Sequence, residues 1–196
     1  MNHLLNEEQF PAGFLPAWFE ARRRHALEQA EQLPEPSRHM ESWRFGAPGN
    51  ESLEHVEAAP PAALETLAPI IRERASMTEA FRIVYANGLP VSIPEELPEG
   101  LSVMDMEDFV LQCPDTARKY LETETETLGS EKLSALATAF QHNGLVIMAD
   151  REISLPLEIL HFISGDNVAV FPSTLLIAET GSRLRILCLL YTSDAA

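Results

Sequence analysis

The sequence predicts an α+β protein, with helices toward the front and short strands toward the back, on three observations. Apolar residues recur at helical spacing in the first third of the chain. The period then switches to alternation at Phe81-Arg82-Ile83-Val84-Tyr85-Ala86, followed by Asn87-Gly88. From Leu145 onward, short apolar runs are split by polar turns at a spacing of about ten residues.

The front helix is expected to start at Pro16, whose missing N–H costs nothing in a first turn. Leu15, Phe19, Ala26, Ala30 and Leu33 form its buried stripe, and Arg22, Arg23 and Arg24 are expected on the wet side. Pro34 and Pro36 end it, because proline cannot continue a helix and disfavours helical geometry in the residue before it. A second helix is expected over 62–75, where Leu64, Leu67, Ala68, Ile71 and Ala75 recur as on a core-facing helix. Between the two, 46–61 is rich in Pro, Gly and Glu and reads as a loop. Ahead of that loop stands Trp43-Arg44-Phe45, whose aromatic rings are expected to anchor an ordered segment, Trp43 by packing.

Asn87-Gly88 has the residues of a type I′ turn, so 81–86 and 91–93 should form a hairpin. Asp105 can cap a short helix over 106–111. Residues 115–128 are acidic and Thr-rich and are expected to be an exposed segment. Ser130 can cap a helix burying Leu133, Leu136, Ala137 and Phe140, which Asn143-Gly144 would stop. The expected strands after it are 145–148, 157–163, 168–171, 175–178 and 184–189. Their spacing alone suits a sandwich, a barrel or a solenoid.

The chain has 196 residues, is 45% hydrophobic and has a net charge of −16. Most of that charge, −11, falls in 51–130. A nucleic-acid partner needs the opposite sign, since affinity comes from cations on phosphates. No apolar run reaches the roughly 18 residues of a membrane span. The opening residues show no basic start followed by an apolar stretch, so no secretory signal is read. Two cysteines, Cys113 and Cys188, do not make a disulfide framework, and the expected compartment is the reducing cytoplasm.

No complete motif for chemistry is present, and catalytic, cofactor-binding and metal-binding residues are all expected to be none. His3, His25, His39, His55, His142 and His161 lack the spacing of a metal site. There is no Gly-x-Ser-x-Gly elbow, no phosphate loop ending in Lys-Ser/Thr and no Gly-x-Gly-x-x-Gly. Cys113, followed by Pro114 in an acidic neighbourhood, is expected to be structural rather than a nucleophile. Asp150, Glu152, Glu158 and Asp166 are expected to serve turns and surface. His161, in an apolar strand, is expected to be packed.

The order of features resembles a known family. Glu41-Ser42-Trp43-Arg44-Phe45 follows the front helix; the β-pair around Asn87-Gly88 comes next. Then come Leu136-Ala137-Thr138-Ala139-Phe140-Gln141-His142-Asn143-Gly144, Leu155-Pro156-Leu157-Glu158-Ile159 and Phe171-Pro172-Ser173-Thr174-Leu175-Leu176-Ile177. Over about residues 10–187 this resembles the N-terminal half of the SufB/SufD family, on its SufD side, from the SUF iron–sulfur cluster assembly machinery. One departure is Phe171-Pro172-Ser173, where the family commonly has His-Pro-Arg.

The resemblance implies an N-terminal helical domain followed by the first rungs of a right-handed parallel β-helix, truncated here. It implies a helical region over 1–80, a connecting α/β region over 81–143 and the start of the β-helix over 144–187. It implies a non-enzymatic scaffold subunit working with SufB-like and SufC-like partners. The full complex would handle a nascent iron–sulfur cluster, with ATP bound by the SufC partner and no cofactor in this part. Residues 188–196 do not resemble the family's continuation and are expected to be a non-native tail. Two other readings remain: a carbohydrate-active β-helix enzyme, resting on the strands and carboxylates, and an acidic interaction module using 51–130.

Overall fold

A computed structural model of the chain describes residues 5–10, 15–45, 56–59, 79–123, 130–141 and 144–192. The expected helix over 62–75, most of the 46–61 loop, Glu124, Glu126, His3, His55, His142 and Asn143 lie outside the described residues. The chain divides into two compact units, each made of two separate stretches.

The first unit comprises Met1–Ala58 and Met106–His142. Its helices are α1 (Ala17–Gln32), α2 (Met106–Gln112), α3 (Pro114–Leu121) and α4 (Glu131–Ala139). Pro16 sits just ahead of α1, and its carbonyl accepts from Phe19 N and Glu20 N at 2.9 and 3.1 Å. Leu33 ends α1 in extended geometry, as the following prolines require. Ser130 caps α4: its hydroxyl accepts from Leu133 N at 3.2 Å. α1 packs along α4, and Phe19, Ala26, Leu27, Ala30, Leu136 and Ala139 are buried.

Three expectations in this unit are corrected. Arg23 is not on the wet side but fully buried, because it sits four residues after Phe19 and four before Leu27, on the buried face. The acidic segment does not begin at 115: α3 occupies Pro114–Leu121, with Ala117 and Leu121 buried at i, i+4. Pro at its first position, Asp115 in the first turn and Arg118 and Lys119 in the last all favour that helix. Phe45 is 96% exposed beside the Arg44 guanidinium rather than packed as an anchor, whereas Trp43 is half-buried in a 3₁₀ turn over Glu41–Trp43.

The second unit comprises Ala59–Asp105 and Asn143–Ala196. One sheet has the order β3-β2-β6-β9, with β2 Phe81–Ala86, β3 Leu89–Ser92, β6 Leu157–Ile163 and β9 Ile186–Thr192. The other has the order β4-β5-β8, with β4 Leu101–Asp105, β5 Leu145–Ala149 and β8 Thr174–Ala178. The described residues also hold two short strands, β1 Glu57–Ala58 of the first unit and β7 Val168–Ala169. β7 ends well before Phe171, and β9 starts at Ile186 rather than Leu184. β9 also runs through Leu187 and Cys188 without a break.

The Asn87-Gly88 hairpin forms, with its return strand at Leu89–Ser92 rather than 91–93. Both residues have positive φ, 49° and 80°, and Ala86 faces Leu89 across the turn. Such a turn follows the right-handed twist of its strands.

Behind it, the later strands stack in parallel. Leu145 pairs with Thr174 and Ala149 with Ala178; Leu157 pairs with Ile186 and Ile163 with Thr192. Residue n therefore meets residue n+29 in both sheets. Ile83, Tyr85, Leu101, Leu145, Ile147, Ala149, Leu157 and Ile159 fill the space between the sheets as one core. Val84, Ala86, Leu160 and Phe162, on the opposite face of β2 and β6, are buried as well. That two-sided burial explains why β5 and β6 read as near-continuous apolar runs rather than alternating ones.

Candidate functional site

Buried and half-buried cations mark the first unit. Each reaches the carbonyl end of a helix other than its own. Arg22 Nε donates to Leu121 O, the last residue of α3, at 3.0 Å, and its Nη1 to Gln141 Oε1 at 2.9 Å. Arg23 Nε donates to Ala139 O, the last residue of α4, at 2.8 Å, and its Nη1 pairs with Glu20 at 3.2 Å. Lys132 Nζ donates to Leu33 O at the end of α1, at 3.1 Å. Helix carbonyl ends carry partial negative charge and unpaired acceptors, so a cation there answers both needs. The Arg23 guanidinium also lies 4.2 Å from the centre of the Phe10 ring, whose edge meets Phe140. Burial lowers the pKa of both arginines, opposed by Glu122 at Arg22 and by Glu20 at Arg23.

Beside this network, in the same unit, a cleft of about 880 Å³ opens between α1, the end of α3 and α4. Trp18, Arg22, His25 and Gln29 line one wall, and Ser134 and Thr138 the other. Among the described residues its carboxylates are Glu122 and Glu131, from different elements. Arg118 stacks over Trp18 at 5.0 Å. Among the described residues the lining presents no nucleophile held by a base.

In the second unit the carboxylates of the strand region do not gather. Glu158, expected at the surface, is fully buried on β6 and bonds Arg82 Nε of β2 at 2.6 Å. The parallel β2–β6 register places those two residues side by side, which satisfies a charge that burial alone would penalise. Asp150 is exposed and pairs with Arg151 at 2.9 Å, Glu152 lies 3.6 Å from Arg183, and Asp166 is exposed. Among the described residues no three His, Cys, Asp or Glu side chains could hold a metal ion together. His161 is packed against the Tyr85 ring, with centroids 5.2 Å apart. Burial lowers its pKa; burial and then Asp105 raise that of Tyr85. Cys113 is half-buried and Cys188 exposed, both as free thiols. Arg44 is exposed and His25 lies in the cleft wall.

Open strand edges are the feature with the clearest capacity to bind. Among the described residues, β8 ends one sheet and β9 the other. Thr174 and Leu176 continue the inward column of Leu145 and Ile147, and Ile186 and Leu190 continue that of Leu157 and His161. Leu176 is 47% and Leu190 59% exposed, although both face the core side. An uncovered row of N–H and C=O groups above an uncovered apolar column can take a further strand.

No family model matches the chain. Over 177 residues it is 25% identical to the iron–sulfur cluster assembly protein SufD of Bacillus subtilis strain 168, covering 85% of this chain. The chain is similar to SufD. Coverage that large takes in both units, as the ordered resemblance in the sequence also does. The chain spans 40% of the length of that SufD protein. Among the described residues no helix is long and apolar enough to cross a membrane.

The arginine network does not follow from residue chemistry alone. The signal was present in the spacing: Phe19, Arg23, Ala26, Leu27 and Ala30 stand at i, i+4, i+7, i+8 and i+11. Its charge points Arg23 to the wet side, whereas its position lies in the stripe.

Proposed function

We propose that this chain is the front part of a non-catalytic scaffold subunit of a SUF-type iron–sulfur cluster assembly complex. The observation that carries the reading is the similarity to SufD over 85% of the chain. A second supports it physically. Parallel pairing at a constant 29-residue offset in two facing sheets is how a solenoid coil stacks on the one before. Returning crossovers between parallel strands of one sheet are right-handed in about 98% of cases, which favours a right-handed β-helix. A solenoid offers a long rigid surface, because each coil is held by its neighbours, and that suits positioning partners better than turning over substrate.

In this reading the partners are a SufB-like subunit and a SufC-like ATPase, and the compartment is the cytoplasm. The cluster is cargo of the assembled complex, and ATP belongs to the SufC-like partner. The acidic stretch over 51–130 keeps the subunit soluble. Affinity purification of the tagged full-length gene product from its own cells tests the proposal. SufB-like and SufC-like proteins should co-purify and be identified by mass spectrometry. Recovery of the bait without either one would sink it.

A further inference from the structure

We propose that Asn87 is a deamidation site that the fold holds closed, so that modification there marks chains whose β2–β3 turn has opened. The dipeptide is the starting point. Gly88 carries no side chain to shield its backbone nitrogen from the Asn87 amide carbon. The turn needs this pair for its own reasons: both residues have positive φ, and a Cβ on Gly88 would come within 3.1 Å of Val170 Cγ1. The most reactive asparagine context is therefore built into the hairpin.

The reaction balances with water as the co-reactant. Gly88 N gives up its proton to a base and attacks Asn87 Cγ. The new C–N bond replaces the old one, and ammonia leaves with a proton from solvent. The resulting succinimide is opened by water. Cleavage at Cγ gives aspartate, and cleavage at the backbone carbonyl gives isoaspartate. Nothing is oxidised or reduced.

The folded turn blocks the first step. Asn87 Oδ1 accepts from Ser164 N at 2.9 Å, and Asn87 Nδ2 donates to Ser164 O at 3.1 Å. Asn87 N donates to Phe162 O at 2.9 Å. The side-chain amide thus extends the parallel β2–β6 ladder by one more pair. Those two bonds hold the side-chain amide on the Ser164 backbone, and Asn87 is only 7% exposed. Attack requires both side-chain bonds to break, and so a local opening.

The products cannot restore the docking. An aspartate has no N–H for Ser164 O and sets charge against that carbonyl. An isoaspartate adds a methylene to the backbone of a turn whose register is fixed at Ala86–Leu89. Reaction turns a reversible opening into a lasting one.

Peptide mapping by mass spectrometry tests this on the purified chain, incubated at mildly alkaline pH with and without unfolding urea. In urea, Asn87 should convert as fast as Asn143, which also precedes a glycine, and far faster than Asn167, which precedes Val168. In the native buffer, Asn87 conversion should slow at least about tenfold. Equal rates at Asn87 with and without urea would overturn the proposal. So would conversion in urea no faster than at Asn167. As a second measurement, the product mimic Asn87→Asp should melt below the parent chain; an unchanged melting temperature would overturn the one-way consequence.

Discussion

Arg23 carries the heaviest single duty in the first unit. Its side chain is wholly buried, and it joins α1 to the end of α4 through Ala139 O, to Glu20 and to the Phe10 ring. Removing one partner of a buried charged contact leaves the other stranded, which costs about 3–5 kcal/mol. Arg23→Ala should therefore lower stability by several kcal/mol, read as a drop in the urea midpoint. Arg23→Lys should recover little of it, since an ammonium lacks the planar fork that meets a carbonyl, a carboxylate and a ring together. Full recovery by lysine would show that charge alone matters at this position. Chemistry alone misassigned this residue, because arginine is rarely buried without partners. Its partners, Ala139 O and Glu20, come from a distant helix and the preceding turn, and the carbonyl is invisible in any local reading. Glu158 was misassigned for the same reason: Arg82 lies on another strand, and the parallel register alone brings them together.

Elements whose ends are set by their own residues were the legible ones. Pro16, the Asn87-Gly88 turn and Ser130 each fix a boundary by local geometry, and each boundary stands where those residues put it. α3 was not legible, since threonines and glutamates following Leu121 masked a helix of eight residues. Its supports are helix-end charges and a tertiary contact, the Arg22 bond to Leu121 O. α4 offers the direct test of local control. Ser130 is 3% exposed and caps Leu133 N, so Ser130→Ala should cost about 1 kcal/mol, with Ser130→Asp close to neutral. The same urea titration reads both. Equal losses for alanine and aspartate would assign the effect to packing around Ser130 rather than to the cap.

At the scale of the whole molecule two opposing terms decide whether the chain stays monomeric. The net charge is −16, which resists association. Against it stand β8 and β9, the edge strands among the described residues, with inward-facing Leu176 and Leu190 about half exposed. The charge acts over about 8 Å at physiological ionic strength, whereas edge pairing works at contact distance. Salt therefore weakens the repulsion and leaves the edge intact. Association of the chain alone should rise with ionic strength, the reverse of a complex held by opposite charges. Leu176 is the place to intervene, because it faces the core side of β8, pairs with buried Ile147 and is 47% exposed. Leu176→Lys can lay its stem along the apolar column and keep the ammonium in water. A charge so placed disfavours a further strand. The variant should elute smaller than the parent at high salt in size-exclusion chromatography with light scattering, with little change in melting temperature. A parent chain that is monodisperse, monomeric and cooperative in melting at high salt would show that the open edges do not drive association.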